Sequence, residues 1–571
     1  MKIKNVVCVA TAALIMLSTA SCTVDNPDDK NTTTTTAATT VQPVTTPTTT
    51  AAPTIPVRTP DKLGNMKMGT VFYKPQQTVM VYYVNTQGMS DGKVAMLRCI
   101  QGLAARVGSA EVYLSSNKDD TFWRNHISNE YGTIFTKYTV DNLIKKYLGN
   151  IKSVVVYDSS KEYQFAVAQT LAAINDGVAI DNITYTSVKK HFEKAIEKKT
   201  IEFTDLSDEI TSPKQAITYT LNNLYPKALH NYIGIVDVSS PINDYLYATK
   251  SMAVSVDSED KEQIAELKKL LNNNYTKPAV VFTEADDFEK TVSEFGFCVL
   301  NAKGFANSTF FASYSTPKKP LTIPSGADKL ATPGKAYISI CINTDDTDAT
   351  SPLNELTENI ARGNTPISIN INPALFELAP PIAKWYYTSR DSSTTLISIP
   401  FGYSDINTST FDKASLESWL LTNKKFLSNT GLSIVSLNQP LSEDTIKDFA
   451  DKLPVKGYLC EGIDSSEMVE NIPIIKTISI DDISEFEDYK LDITEDDPLF
   501  LCISINASDL SSQPFKDLEK MVLKFQSENE GKAEFLLAND LVYTMDRYYK
   551  VKATQPTTEE ISEPTTVSDE K

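Results

Sequence analysis

From Ala336 onward the chain repeats one pattern: a short apolar run, a polar break, then a stretch with helical spacing. Eight such runs succeed one another: AYISICIN from Ala336, PISINI from Pro366, TLISI from Thr395, LSIVSL from Leu432, GYLCE from Gly457, IIKTISI from Ile474, LFLCISI from Leu499 and EFLLA from Glu534. Nearly continuous apolar strands alternating with helices are what a parallel sheet covered on both faces requires. Eight units of this kind predict a (β/α)8-type barrel over residues 335–550.

The earlier half alternates less regularly. TVMVYYV (Thr78 to Val84) and AEVYL (Ala110 to Leu114) read as strands, and Val94, Leu97, Ile100, Ala104 and Val107 mark an amphipathic helix between them. The pattern recurs at SVVVYD from Ser153, YIGIVDV from Tyr232, AVVF from Ala279 and FCVL from Phe297. A chain of 571 residues exceeds what one hydrophobic core of about 250 to 300 residues supports. The fold class expected is therefore α/β, with small N-terminal α/β modules at 66–148, 149–228 and 229–320 ahead of the barrel.

The ends read differently. Lys2 and Lys4 precede an apolar run from Val6 to Leu17, and small residues then lead to Cys22. This is an export signal over residues 1–22, and TASC resembles a bacterial lipobox in which Cys22 becomes the lipidated first residue. Residues 23–65 are Thr, Pro and Ala with few large apolar groups, too little to offset the entropy of ordering, so a disordered tether is expected. A disordered acidic tail is expected over 551–571. These features place the protein on the extracellular face of a bacterial membrane through its lipid, with plain secretion as the alternative.

Of 7 cysteines, Cys8 falls in the signal and Cys22 takes the lipid. The remaining Cys99, Cys298, Cys341, Cys460 and Cys502 are widely spaced in apolar segments, which predicts buried free thiols. A formal net charge of -19 argues against nucleic acid as a partner, because phosphate binding draws on clustered Lys and Arg. The chain has 3 histidines, His126, His191 and His230, none within the barrel segment. With no H-x-x-x-H or H-E-x-x-H spacing, neither a metal site nor a cofactor is expected, and a Ser-His-Asp hydrolase would lack its base.

In such a barrel the residues just past each strand's C-terminal end share one rim, where reactive groups collect. The rim assigned here holds Thr344, Asp345, Asp346 and Asn372, then Phe401, Gly402, Tyr403 and Asp405. Asn438, Glu461, Asp464, Asp481, Asn506 and Asn539 complete it. Were the substrate a glycan, as the family resemblance below implies, hydrolysis would commonly use two carboxyl groups across a sugar ring, about 5 to 5.5 Å apart for retention or about 6.5 to 9.5 Å for inversion. Asp346 with Glu461 is the pair favoured, with Asp345 and Asp405 in reserve. Phe401 and Tyr403 would stack on a sugar face, Gly402 would let Tyr403 project, and Asn372 would bind hydroxyls. The alternative is that these acids are helix caps or solvated loop charges.

The stretches MLRCIQGLAARVGSAEVYLSSNKDDTFW, KGFANSTFF and ISININPALFELAPPIAKWYYTS, which leads into IPFGYSDIN, carry a resemblance. From about Met68 to Tyr549 the chain resembles the GxGYxYP proteins, described as putative glycoside hydrolases with N-terminal α/β domains and a C-terminal barrel-like domain. The resemblance implies a glycan as substrate. Pro400 to Ile406 keep only the central Gly402-Tyr403 pair of the name motif. NTDDTD, from Asn343 to Asp348, stands where an acidic S-D-G-D-N-like motif is usual. Read without a gap, Asp346 matches its second acid; a one-residue shift puts Asp345 on the first. Two functions therefore stand side by side: a surface-anchored hydrolase with two rim carboxylates, and a carbohydrate-binding or scaffold protein that kept the fold and lost the chemistry.

Overall fold

The computed structural model describes residues 63–116, 118–272, 280–284, 288, 291–292, 295, 297–316, 330–344, 365–389, 392–400, 413–437, 443–480, 485, 489–507, 514–529 and 531–554. The expected signal lies outside these residues, as do the expected tether up to residue 62 and the expected tail from residue 555. At their inner edges the expectation of disorder fails, since Leu63 is buried in the core and Val551 to Thr554 end the helix Ala538–Thr554. Cys22, Asp345, Asp346, Phe401, Gly402, Tyr403, Asp405, Asn438 and Asp481 also lie outside the described residues.

Three small parallel sheets come first. In each, the first strand lies between the second and the third: Met80–Asn85 between Val112–Ser115 and Ile134–Lys137, then Ser153–Tyr157 between Val178–Asp181 and Glu202–Asp205. In the third sheet, Leu229–Ile235 lies between Ser251–Val254 and Val280–Thr283, with Cys298–Asn301 outside the latter. Valine, isoleucine and alanine fill these strands, and the helix Asp91–Val107 buries Leu97, Ile100 and Leu103 between the first two sheets and the helix Asn243–Ala248.

The barrel strands are β1 (Ala336–Asn343), β2 (Ile367–Ile371), β3 (Thr394–Ser398), β4 (Ile434–Leu437), β5 (Gly457–Glu461), β6 (Ile472–Ile480), β7 (Leu499–Asn506) and β8 (Ala533–Phe535). All pair in parallel, and the first seven close into a ring because β1 bonds to both β7 and β2. The eight runs read from the sequence are thus all strands, yet the eighth is only 3 residues long. It pairs with Ala336, Tyr337 and Ile338 of β1, whereas Ile340 to Asn343 pair directly with β2. β8 is a wedge in the lower half of the wall.

Beyond β8 the chain departs from one expectation. Asn539 is not on the rim: it lies at the start of the helix Ala538–Thr554, is 3% exposed, and donates through Nδ2 to Thr395 Oγ1 at 3.2 Å. After β8 ends opposite Ile338, the chain turns inward about halfway up the wall, where the Ala538 N–H donates to Ser368 Oγ at 2.9 Å, and the helix runs down from there. The helix then plugs the lower interior, packing Ala538, Leu541, Val542 and Met545 on Tyr337, Ile397, Ile434, Leu459, Ile475 and Phe500. Tyr548 Oη donates to Asp497 Oδ1 at 2.8 Å just ahead of β7, which fixes the far end of the plug.

Around the outside, the alternate set of strand residues, including Ile338, Ile340, Ile342, Ile369, Ile503 and Ile505, packs on helices such as Lys413–Thr430, Glu443–Lys452 and Pro514–Glu528. Between β5 and β6 the connection is no helix but a short strand, Glu467–Val469, antiparallel to β6. All five cysteines outside the first 22 residues are buried free thiols.

The barrel is tied to the earlier sheets by the Glu377 carboxylate, which accepts from the backbone N–H of Thr70, Val71 and Phe72 at 2.7, 3.0 and 3.1 Å. Trp385 packs edge-on against Phe122 and Trp123, and the Tyr387 hydroxyl donates to Thr430 O, so these aromatics are structural. Asp120 accepts from Tyr113 Oη and the Ser116 N–H, a structural duty likewise.

Candidate functional site

The strand registers give the barrel interior a sharp change of polarity. Inward positions at the bottom are apolar and rest on the plug. Higher up, the same alternation places Ser339, Cys341 and Asn343 of β1 beside Ser368 and Asn370 of β2 and beside Cys502, Ser504 and Asn506 of β7. Thr477 and Ser479 of β6 continue the layer, and Glu461 ends β5 in register with Thr477. Polar side chains collect at the C-terminal mouth because the strands themselves read Ile-Ser-Ile-Asn, with isoleucine outward.

Glu461 is the carboxylate of this layer among the described residues. Its Oε1 accepts from Ser479 Oγ at 2.5 Å. Burial holds the carboxyl above the ordinary glutamate range, and the serine's donation opposes part of that rise. The charge reaches the Cys341 thiol, which is pushed upward chiefly by its neighbour Cys502 and by burial. Glu461 therefore faces the interior.

Two polar atoms nearby lack partners. Asn370 Oδ1 and Thr477 Oγ1 make no hydrogen bond although their residues are 3% and 5% exposed. A buried unpaired acceptor is costly, and such groups concentrate where a ligand completes them. Three asparagines share one register: Asn343 lies opposite both Asn370 and Asn506.

Of the expected rim residues, Glu461 and Asn506 stand at strand ends in this layer. Thr344 comes directly after β1 and donates through Oγ1 to Asn370 O at 2.5 Å. Asn372 comes directly after β2, but its Oδ1 accepts from the Ala374 N–H at 2.9 Å, shaping the turn into the segment Leu375–Leu378. Asp464 is exposed in the turn after β5, where its carbonyl accepts from Lys476 Nζ. Sequence reading missed Asn343, Asn370, Thr477, Ser479 and Ser504; the period-two alternation within the strands was the available signal. Among the described residues no group of three or more His, Cys, Asp or Glu could hold a metal ion, and no helix is long and apolar enough to cross a membrane.

Two family models match the chain: "GxGYxYP putative glycoside hydrolase C-terminal domain" over residues 335–520 and "GxGYxYP_N 1st domain" over residues 80–148. Among curated proteins none matches. Among solved structures, one described as a putative hydrolase from Bacteroides thetaiotaomicron VPI-5482 is similar with a TM-score of 0.71 at 18% identity, covering 85% of this chain and 98% of that one. At that identity the likeness establishes the fold: small α/β sheets ahead of a TIM-like barrel. With the first sheet and the first seven barrel strands lying in segments matched by these two domain models, the chain is similar to the GxGYxYP proteins over residues 80–148 and 335–520.

Proposed function

We propose that the barrel mouth binds a glycan and cleaves it by paired carboxylates, with Glu461 as general acid and Asp346 as base or nucleophile. The observation that carries this reading is Glu461 itself. It is a half-buried carboxyl at a barrel strand's C-terminal end, kept protonated to higher pH than a free glutamate, with unpartnered polar atoms in the same layer. A glycosidic oxygen must be protonated as it leaves, and a glutamate with a raised pKa is suited to supply that proton. Asp345 and Asp346 come next in the chain after Thr344, itself bonded to the Asn370 carbonyl. Phe401, Tyr403 and Asp405 come after β3 in the sequence and belong to the same proposal as sugar-stacking and reserve acidic groups.

Screening the full chain on a glycan array and assaying hydrolysis of each bound glycan tests it. Glu461→Gln is expected to retain binding and to lose about 10²-fold or more in kcat, in line with loss of a general acid. Turnover that survives the substitution sinks the assignment. The activity of the wild type is expected to fall as pH rises through the Glu461 pKa, and that basic limb should vanish in a variant with residual turnover.

A second reading, binding without cleavage, is favoured by the three asparagines in register at the mouth. Amides hydrogen-bond sugar hydroxyls, but they neither give nor take protons at neutral pH. Array binding with no product from any bound glycan selects it. We also propose anchoring on an extracellular membrane surface through lipid on Cys22, supported by TASC after a basic and apolar leader; fatty-acid labelling lost in Cys22→Ala is the expected result.

A further inference from the structure

The second sheet carries a feature apart from the barrel. A cavity of about 570 Å³ opens between the end of the helix Val140–Tyr147 and the segment running from Lys190 to Ile201. Lys145, Lys152, Lys190, Lys194 and Lys198 surround it. All five are exposed. Lys152 Nζ donates to the Gly149 carbonyl at 2.8 Å, while the other four make no ion pair among the described residues.

This arrangement runs against the charge of the molecule. The chain carries 73 acidic against 54 basic residues. Yet among the described residues no Asp or Glu lines this cavity; Asp141, at its edge, accepts from His191 Nε2 at 2.9 Å and its charge is shared by Lys145 and Lys190, leaving Lys152, Lys194 and Lys198 to face the cavity. Lys190 lies in the 3-10 turn Lys189–His191, Lys194 in the short helix Glu193–Glu197 and Lys198 at its C-cap, and all three line the cavity, so like charges crowd along this one segment. Such repulsion persists in a folded surface at a cost, and an anion bound across the lysines removes it. Leu148, Ile151 and Ile201 also line the cavity and give it an apolar floor. A compact inorganic anion has no use for such a floor, whereas the C–H face of a sugar ring does.

We propose that this cavity is a second glycan site that takes an anionic oligosaccharide, whose uronate, sulfate or phosphate groups meet the lysines while a ring rests on the apolar floor. The anionic half of the assignment stands on the lysines alone. The saccharide half rests on the glycan reading of the barrel, and the two can fail separately.

Calorimetric titration of the full chain with oligogalacturonate, a heparin-derived oligosaccharide, a neutral maltooligosaccharide and inorganic polyphosphate tests it, at low salt and at about 0.5 M salt, where surface charge is screened. At least one acidic oligosaccharide is expected to bind at low salt, the neutral one not to compete with it, and added salt to weaken it. The combined variant Lys190→Ser, Lys194→Ser, Lys198→Ser should bind about ten-fold or more weakly, as should Lys145→Ser with Lys152→Ser on the opposite wall. An equal-charge control, Lys413→Ser, Lys424→Ser, Lys425→Ser on a barrel helix, should bind as the wild type does, and so should Glu461→Gln. Unchanged affinity in both lysine variants, or no binding of either acidic oligosaccharide, overturns the proposal. Loss in Glu461→Gln overturns it too, by moving the ligand to the barrel. Binding of polyphosphate alone overturns the saccharide half.

Discussion

Among single residues, buried charge is the most testable feature. Asp244 is 0% exposed, and its Oδ2 accepts from the Thr309 N–H at 2.8 Å and from Thr309 Oγ1 at 2.6 Å. Its Oδ1 has no partner. Burial outweighs these bonds and the nearby Arg98 guanidinium, so the carboxyl is pushed up to about 6 from an ordinary value of 3.8. Between those two values the native state holds a proton that the unfolded chain has released. Stability contributed by the neutral carboxyl is therefore full below the ordinary aspartate range and declines as pH rises towards about 6, by about 3 kcal/mol in all. Urea unfolding of wild type and Asp244→Asn at pH values on either side of this window should show the wild type losing ground to the variant as pH rises. Parallel curves would mean that Asp244 does not titrate differently in the native state. Sequence could not supply this: Asp244 comes after an ordinary Pro-Ile-Asn turn, and only the packing of its helix against Asp91–Val107 and Ser308–Phe311 makes it buried.

Glu461 was more legible. Its place after an apolar run marks a strand end, and strand ends of a barrel face one mouth. Its partner Ser479 and, on a different wall of the interior, Asn370 were not found, because the strands were read as apolar on both faces. Their inward faces in fact turn polar halfway up: IS-IN in β2 and TISI in β6 carry the change. The upper interior, lined by serine, threonine and asparagine besides the thiols Cys341 and Cys502, offers hydrogen bonds where an apolar layer would offer packing alone.

Among the secondary-structure elements, the plug helix decides how the barrel closes. Seven strands were enough to complete the ring, and the eighth run yielded only a wedge, after which the chain turns inward at Ala538 and descends through the lower interior as the plug. Eight apolar runs could be counted from sequence, but not this, because a helix that enters a barrel and a helix that covers it share the same apolar periodicity. Gly457, at the foot of β5, makes the fit tight enough to test. A Cβ there would lie 2.6 and 2.7 Å from the two methyls of Val542, whose residue is 1% exposed. Gly457→Ala is expected to cost about 1–3 kcal/mol by overpacking. In a Val542→Ala background the same substitution should cost about 0.5 kcal/mol or less, since the clash has gone. Additive costs in a double-mutant cycle, measured by chemical denaturation, would show that the helix does not press on β5.

Across the molecule, the small sheets and the barrel form one packed body, with the Glu377 carboxylate holding three backbone N–H groups of the Thr70 to Phe72 segment. The family resemblance and the α/β class were readable from the chain. The division of labour was not: among the described residues the barrel mouth gathers neutral polar groups and the raised Glu461 carboxyl, while lysines gather beside the second sheet. That separation suits a protein that holds an acidic polymer at one place and works on it at another, and the glycan reading depends on the barrel mouth. The sharpest check is a crystal structure of the Glu461→Gln protein soaked with the oligosaccharide it binds best. A sugar ring is expected at the C-terminal mouth, with the residue 461 amide and the Asn370 side chain within hydrogen-bonding distance of it, about 2.7–3.2 Å. A sugar bound elsewhere on the barrel, with residue 461 and Asn370 untouched, would contradict the role given to the mouth.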